Sequence, residues 1–281
     1  MMRKLTVAFF ALALASVIVL AQRAPKQDEV EIVMMTYPEI YSAIHEHGKT
    51  TVLVYNGGTE QRGPHAILGG HTLMARAIAP MIARQLGNAL VAPILPYSTN
   101  PAGGIDPKFP GSIGLSSELF TRVNEAVVED MAKEGFKNIV LMGDHGGGQD
   151  ELKTLAKAMD AKYAAQGTHV YFSGAVYEQS RKELADWLTS KHLPLSNHAG
   201  ISDTSIMLYL QPKPESWVRN IYKTTIGDPV LPAGQRADPK APRVNNGVTG
   251  DPRPSTPEIG KLAVEMKVND AVAEIRKLIA R

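Results

Sequence analysis

The sequence of 281 residues contains no cysteine, few aromatic residues and almost no excess of charge. The absence of cysteine excludes disulfide bonds, thiolate zinc sites and cysteine nucleophiles. Aromatic residues make up only 6%, the formal net charge is +2, and no basic stripe is interleaved with aromatics. Nucleic acid is therefore not an expected partner. The chain does have 44% hydrophobic residues, which is enough for a sizeable core.

The N-terminus has the pattern of a secretory signal peptide. Residues 1–4 are basic, residues 5–21 are apolar, and Ala21 offers a small residue before polar Gln22. An uncleaved anchor is the alternative, but an apolar run of this length is marginal for spanning a bilayer. We therefore expect a signal peptide over residues 1–21. The mature protein is expected to be periplasmic or secreted, with no stable membrane span and one domain over residues 22–281.

Strand and helix patterns alternate along the mature chain. Short apolar runs rich in β-branched residues predict strands, and apolar residues at helical spacing predict amphipathic helices. The predicted strands are 29–34, 51–55, 89–95, 138–142 and 168–172, and the predicted helices are 36–44, 72–86, 116–134, 149–165, 178–190, 202–210 and 256–281. Residues 212–257, rich in Pro, Gly and Asn, predict loops and short strands. This alternation indicates an α/β fold with a mostly parallel sheet.

Carboxylate and imidazole groups follow two of the predicted strands. Residues 60–71 read Glu-Gln-Arg-Gly-Pro-His-Ala-Ile-Leu-Gly-Gly-His, and residues 143–148 read Gly-Asp-His-Gly-Gly-Gly. Parallel α/β sheets place their binding sites at the carboxyl ends of the strands. Glu and His are also usual ligands of zinc-like ions. The candidates are Glu60, His65, His71, His145 and His198.

Two other kinds of site fit the sequence less well. Residues 143–148 follow a strand and open a helix, as phosphate-binding loops do, but they match neither common glycine pattern for phosphate. Asp144 would also repel a phosphate. A Ser-His-Asp hydrolase lacks support because no Gly-x-Ser-x-Gly motif occurs.

Five motifs in order resemble the creatininase (creatinine amidohydrolase) family. They are Gly-Thr-Glu-Gln-Arg-Gly-Pro-His at 58–65, Phe-Pro-Gly-Ser-Ile at 109–113, Gly-Asp-His-Gly-Gly at 143–147, His-Ala-Gly-Ile-Ser-Asp-Thr-Ser at 198–205 and Gly-Val-Thr-Gly-Asp-Pro at 247–252. The resemblance implies a three-layer α/β/α sandwich, metal-dependent hydrolysis of C–N bonds and assembly as a homo-oligomer, often a hexamer. It leaves the substrate open, because the family includes creatinine hydrolases, formamide-type hydrolases and a peptidase.

The resemblance also assigns roles to single residues. Glu60 and His145 match metal ligands of the family, and His198 matches the histidine of its His-Ala-Gly motif. Arg62 stands where the family has a histidine ligand, and His71 stands where it has the aspartate that bridges two metals. A neutral imidazole cannot bridge two ions, and a guanidinium cannot ligate one. We therefore expect a single divalent ion, zinc with manganese or iron as alternatives, bound by Glu60, His71 and His145.

The remaining predicted site residues concern catalysis and substrate. Asp203 stands where the family has Glu, and His198 or Asp203 is expected to carry a proton to the leaving nitrogen. Arg62 is expected to bind substrate, either by polarising a carbonyl or by holding a substrate carboxylate. Further substrate contacts are predicted at His65, Gly146 and Gly147, and at Tyr97, Asn100 and Lys108 in the loop 97–113.

The expected function is hydrolysis of a small amide or cyclic amide, a small-molecule substrate, by metal-activated water. Two alternatives stay open from sequence. One is a degenerate family member that acts as a periplasmic binding or assembly protein, and the other is a metal-dependent lactonase or lyase.

Overall fold

The computed structural model describes residues 29–99, 107–231, 238 and 240–280. The predicted signal peptide, residues 22–28 and Asn100 lie outside this part of the chain. None of the helices that are described combines the length and the apolar character needed to cross a bilayer.

Strands and helices alternate through most of the described residues. The strands are β1 (Thr51–Asn56), β2 (Ala89–Val91), β3 (Ser98–Thr99), β4 (Gly114–Leu115), β5 (Asn138–Gly143), β6 (His169–Phe172), β7 (Ser196–His198) and β8 (Thr249–Gly250). The α-helices are α1 (Tyr37–His45), α2 (Gly70–Leu86), α3 (Ser117–Lys133), α4 (Gln149–Tyr163), α5 (Glu178–Ser190), α6 (Ile201–Leu210) and α7 (Pro257–Ile279). These bounds agree closely with most of the predicted elements.

A parallel sheet in the order β2-β1-β5-β6 forms the centre of the fold. Thr51 of β1 pairs with Ala89 of β2 on one side and with Asn138 of β5 on the other. All six residues of β1 are buried, because a strand covered on both faces has no polar side to expose.

Helices cover both faces of the sheet. The β1-α2-β2 and β5-α4-β6 crossovers leave the central pair of strands in opposite directions. Because such crossovers are right-handed, α2 and α4 lie on opposite faces. The helix α3 packs on α4, whereas α7 packs on α2, α5 and α6. The predicted three-layer α/β/α sandwich with a mostly parallel sheet is therefore confirmed.

The opposite directions of these crossovers create a crevice between β1 and β5. At such a switch point the loops that follow the two strands diverge toward different faces. The residues after Asn56 and Gly143 therefore surround a space at the carboxyl edge of the sheet, and this space holds the candidate site.

The first and third predicted strands differ from the structure. Of residues 29–34, Glu31 makes a single bridge to Val91, and Ile32–Met34 form a 3-10 turn. The strand predicted over 89–95 ends at Val91, because Pro93 has no N–H to donate to a ladder. Pairing resumes only as a bridge between Leu95 and Asn56.

The last helix is well specified by its sequence. The Thr256 hydroxyl accepts the Ile259 N–H at 3.2 Å, and Pro257 occupies the first turn, where its missing N–H costs nothing. Ala271 and Ile275 on its inner face are fully buried. This helix brings Lys267 to the candidate site.

Candidate metal centre

The structure brings together the three predicted metal ligands at the carboxyl edge of the sheet. Glu60 follows β1, His145 follows β5, and His71 lies in the first turn of α2. One potential ligand atom from each residue lies within 4.8 Å of the other two. The Glu60 carboxylate stands between the rings, with Oε1 2.9 Å from His71 Nε2 and Oε2 3.0 Å from His145 Nε2.

A buried aspartate fixes the orientation of His71. The Nδ1 atom of His71 lies 2.8 Å from Asp144 Oδ2. Asp144 Oδ1 also accepts hydrogen bonds from the Lys267 ammonium at 2.9 Å and the Tyr55 hydroxyl at 3.0 Å. Because an ionised aspartate only accepts, His71 must carry a proton on Nδ1. Nε2 donates its own proton to Glu60 in this structure, and loss of that proton to a bound metal would direct the Nε2 lone pair at the ligand cluster.

The two carboxylates of the centre are held in their ionised form. Burial alone would raise the pKa of Glu60, but hydrogen bonds from His145 and His71 outweigh it and hold this pKa well below its ordinary value. Burial would likewise raise the pKa of Asp144, but the Lys267 charge and His71 hold it far below the usual range. Both side chains are therefore available as anions.

Arg62 lies behind the ligands and not on the wall of the cavity. Its side chain is 0% exposed, with Nη1 3.1 Å from Asp203 Oδ2 and Nη2 3.7 Å from Glu60 Oε1. None of its nitrogen atoms makes a well-aligned hydrogen bond to a described residue, so the pairing is mainly coulombic. A Cβ atom on Gly70 would approach Arg62 Nε to 2.6 Å, so glycine at this position leaves the space that the guanidinium fills.

This placement corrects the prediction that Arg62 contacts the substrate. The chain turns inward at Arg62, which bridges Ala66, and the side chain points into the protein between Glu60 and Asp203. In the described residues it has no exposed surface through which a substrate group could reach it.

Asp203 lines the cavity but is engaged by the protein. Its Oδ2 atom accepts the Ala199 N–H at 2.8 Å and faces Arg62. Burial would raise the pKa of Asp203, yet the Arg62 charge holds it below the ordinary value. A carboxylate stabilised as an anion is a poor proton donor, so the predicted proton-carrying role suits Asp203 less well than His198.

His198 presents a free nitrogen to the ligand cluster. Its Nε2 atom donates to the Gln61 carbonyl oxygen at 2.8 Å, which places the lone pair of the neutral ring on Nδ1. Nδ1 lies 3.6 Å from Glu60 Oε1. The next residue, Ala199, has φ +53°, a left-handed conformation that costs a non-glycine residue about 1–2 kcal/mol. The Asp203 contact to the Ala199 N–H holds this turn in place.

The other predicted substrate contacts fall in different places. His65 is fully buried, its Nε2 lies 2.9 Å from the Thr204 hydroxyl, and burial lowers its pKa to about 4. It therefore supports α6 and has no path to a substrate in the described structure. Tyr97 is partly buried but does not line the main cavity. Gly146 lines the main cavity, and Gly147 lines a smaller neighbouring one.

A cavity of about 580 Å³ opens over the ligand cluster. This volume lies within the usual range for small-molecule sites. The residues of its wall that were not predicted from sequence include Tyr177, Arg181 and Lys267. Lys267 did leave a signal, because it falls on the inner face of α7 between Ala263 and Ala271 at spacings of four. A lysine within an apolar stripe predicts a buried charge with a partner.

Comparisons with known proteins identify the family and agree with the fold. The family model described as "Creatininase: Creatinine amidohydrolase" matches residues 34–275. A mycofactocin precursor peptide peptidase of Mycolicibacterium smegmatis is 26% identical over 234 residues, which cover 80% of this chain and 84% of that protein.

Solved structures match over a similar share of the chain. The crystal structure of a creatinine amidohydrolase (creatininase) aligns with a TM-score of 0.72 and 21% identity, covering 89% of this chain and 97% of the other. A structure described as "Creatininase Mn" aligns with a TM-score of 0.71 and 22% identity, covering 89% and 98%.

Proposed function

The chain belongs to the creatininase family and is a metal-dependent amidohydrolase, and on this premise we propose that it hydrolyses a C–N bond of a small amide or cyclic amide at a single-metal site. The observation that carries the proposal is the convergence of Glu60, His71 and His145 at the base of a cavity. The peptidase named among its relatives supports including short peptides among the amides to be tested.

The residues of the centre fit a divalent ion. Two imidazoles and one carboxylate with an open position are a usual donor set for catalytic zinc. The Asp144–His71 hydrogen bond is the carboxylate–histidine arrangement that directs a ring nitrogen to a metal. His145 needs one adjustment, because its Nδ1 accepts the Gly147 N–H at 3.0 Å. When His145 Nε2 binds the metal, Nδ1 carries the ring proton and can no longer accept a hydrogen bond. The Gly147 N–H must then turn away from the ring.

The charges around the centre favour one ion over two. Glu60, Asp144 and Asp203 contribute three negative charges, and buried Arg62 and Lys267 contribute two positive ones. With neutral imidazoles the balance is −1, which one divalent ion converts to +1 and two would convert to +3. Because Arg62 already places a fixed cation 3.7 Å from Glu60, a second ion would bind against strong repulsion.

Zinc is the metal we propose, because it accepts mixed nitrogen and oxygen donors in a four-coordinate site. Manganese and iron remain alternatives with the same donor types. When bound, the ion supplies Lewis acidity, which lowers the pKa of water and polarises the carbonyl of the amide.

The protein's own groups handle the proton. His198 Nδ1 carries the free lone pair of the ring and faces Glu60, so it accepts a proton from water and returns it to the leaving nitrogen. The water oxygen bonds to the carbonyl carbon and the C–N bond breaks, which gives a carboxylic acid and an amine, both on one molecule when the amide is cyclic. Asp203 accepts the Ala199 N–H and pairs with Arg62, and through the Ala199 turn it positions His198.

We also propose that the protein is exported through a signal peptide at residues 1–21 and acts as a homo-oligomer in the periplasm or outside the cell. N-terminal sequencing of the exported protein is expected to begin near Gln22. Light scattering tests the oligomer, for which the family resemblance favours a hexamer.

The enzymatic proposal is tested with metal-depleted protein reconstituted with zinc, manganese or iron. A panel of small amides, lactams, short peptides and lactones is assayed before and after chelation. The expected result is turnover of an amide that is lost with chelation and restored by the metal. Turnover of lactones alone favours the lactonase alternative, and no turnover by metal-loaded protein favours a binding role.

A further inference from the structure

The outer wall of the main cavity carries an arginine held in place by neutral groups. Arg181 Nη1 donates to the Tyr177 hydroxyl at 2.5 Å, and Nη2 donates to Asn197 Oδ1 at 3.2 Å. The guanidinium carbon lies 4.9 Å from the centre of the Tyr177 ring. Tyr177 precedes α5 and Asn197 belongs to β7, so two separate segments fix the position of the charge.

Within the described structure, Arg181 makes no ion pair, unlike the other cations of this wall. Lys182 lies 2.6 Å from Asp186, and Lys267 lies 2.9 Å from Asp144. Glu178 lines the same wall but makes no ion pair with Arg181. A guanidinium has five N–H donors, and the contacts to Tyr177 and Asn197 use only two of them. Arg181 is exposed, so its three remaining donors face solvent at the rim of the cavity, where a ligand could reach them.

Tyr177 places this charge beside the metal centre. A Cβ atom on Gly146 would approach the Tyr177 hydroxyl to 2.6 Å, so the backbone next to His145 reaches the same hydroxyl that Arg181 contacts. The Tyr177 ring also lies 6.0 Å from Lys267 Nζ, which binds Asp144. A substrate whose amide lies at Glu60, His71 and His145 therefore occupies the cavity that Arg181 also lines.

We infer that Arg181 binds a carboxylate of the substrate, so that the amides hydrolysed here are acidic ones with a carboxylate a few bonds from the scissile C–N bond. This inference rests on the proposed function, because it assigns the substrate class of the same cavity. Guanidinium and carboxylate match in geometry and can share two parallel hydrogen bonds. A substrate anion would pair with a cation of this wall that has no ion-pair partner among the described residues.

Matched substrate pairs test the inference. In one set of pairs, a dipeptide or N-acyl amino acid with a free C-terminal carboxylate is compared with the same compound as its terminal amide. In the other set, a substrate with an Asp or Glu side chain is compared with the matching Asn or Gln substrate. Zinc-loaded wild-type protein is expected to favour one acidic member of these pairs by ~10–100-fold in kcat/KM, the range for a charge-assisted hydrogen bond. The pair that shows the preference identifies the source of the carboxylate.

Variants at Arg181 show whether this residue binds the substrate carboxylate. Arg181→Gln is expected to lose ~10–100-fold in kcat/KM on the acidic substrate, mainly through KM, and little on the neutral one. Arg181→Lys is expected to keep part of the preference, because it keeps the charge and loses the planar fork. Lys182→Gln removes a neighbouring charge that Asp186 already balances, and it is expected to keep the wild-type preference.

The inference and the proposed function fail in different ways. If the wild type hydrolyses amides but treats acidic and neutral members alike, or if Arg181→Gln keeps the preference, the inference is overturned and the enzymatic proposal stands. If metal-loaded protein hydrolyses none of these amides, the enzymatic proposal fails. Calorimetric binding of the same pairs to wild type and Arg181→Gln then decides the inference: the acid must bind more tightly only when Arg181 is present.

Discussion

His71 Nδ1 lies 2.8 Å from Asp144 Oδ2, and this contact joins the candidate metal ligands to a lysine on the last helix. The aspartate is 1% exposed and Lys267 is 7% exposed in their side chains, so the pair is shielded from solvent. The orientation of His71 therefore depends, through Asp144, on Lys267, which lies 123 residues after Asp144 in the sequence.

Replacing Asp144 by Asn is expected to weaken zinc binding by ~10–100-fold, because outer carboxylates of metal-bound histidines typically contribute this much. It also leaves the Lys267 charge unpaired, which costs about 3–5 kcal/mol in the free energy of unfolding. Competition with a chromophoric chelator measures affinity, and urea unfolding measures stability.

The double variant Asp144→Asn/Lys267→Met separates the two effects. Removing both charges is expected to recover much of the stability and none of the zinc affinity. Full recovery of both would show that Asp144 has no role in orienting His71.

Arg62→Met is expected to tighten zinc binding by up to about tenfold while lowering stability. The guanidinium near Glu60 repels a divalent ion, and its removal lowers that repulsion. Asp203 loses its partner at the same time. The exposed pair of Arg253 and Asp251 supplies the control: Arg253→Met is expected to change neither quantity by much. Weaker zinc binding in Arg62→Met would contradict the charge count.

His198→Gln is expected to lower kcat by about 10²–10⁴-fold, the usual contribution of a positioned acid–base group, with the metal content unchanged. Steady-state kinetics and elemental analysis of the same preparation measure both quantities. A variant that retains wild-type kcat would remove His198 from the proton path.

Asp270→Asn is expected to stabilise the protein at pH 8 more than at pH 5. Burial, with the negative charges of Glu183 and Glu274, raises the pKa of Asp270 from 3.8 to about 6. Because this pKa is higher in the folded state, ionised Asp270 lowers the free energy of unfolding above pH ~6. This destabilisation decreases as the pH falls from ~6 toward ~4, where the carboxyl group is protonated in the folded protein. The asparagine retains a partner in Gln179, which donates to Asp270 Oδ1 at 3.1 Å.

Urea unfolding at several pH values measures this effect. Asp186→Asn is the matched control, because Asp186 is exposed and paired with Lys182. Equal changes at pH 5 and pH 8 in Asp270→Asn would show that the carboxyl group titrates normally.

The sequence predicted most of the sheet and the proximity of Glu60, His71 and His145, because both depend on local signals. Apolar runs such as Thr51–Asn56 define buried strands, and the residues that follow parallel strands meet at one edge. The same signals cannot show which way a long side chain turns. The Arg62 side chain was expected to face the cavity, but it fills the space beside Gly70 in the protein interior.

Contacts between distant segments were also beyond the sequence. Nothing local to Tyr177 or Arg181 indicates that α5 folds over the centre. The C-terminal end of β2 could have been predicted, because Pro93 has no N–H and interrupts the hydrogen bonding between strands.

Metal content together with activity tests the central claim most directly. Wild-type protein, metal-depleted and then equilibrated with excess zinc and desalted, is analysed for zinc per chain beside His145→Ala. One zinc per wild-type chain, amidase activity that depends on it, and loss of both in His145→Ala are the predicted results. Two zinc ions per chain, or full activity after complete removal of metal, would contradict the single-metal hydrolase.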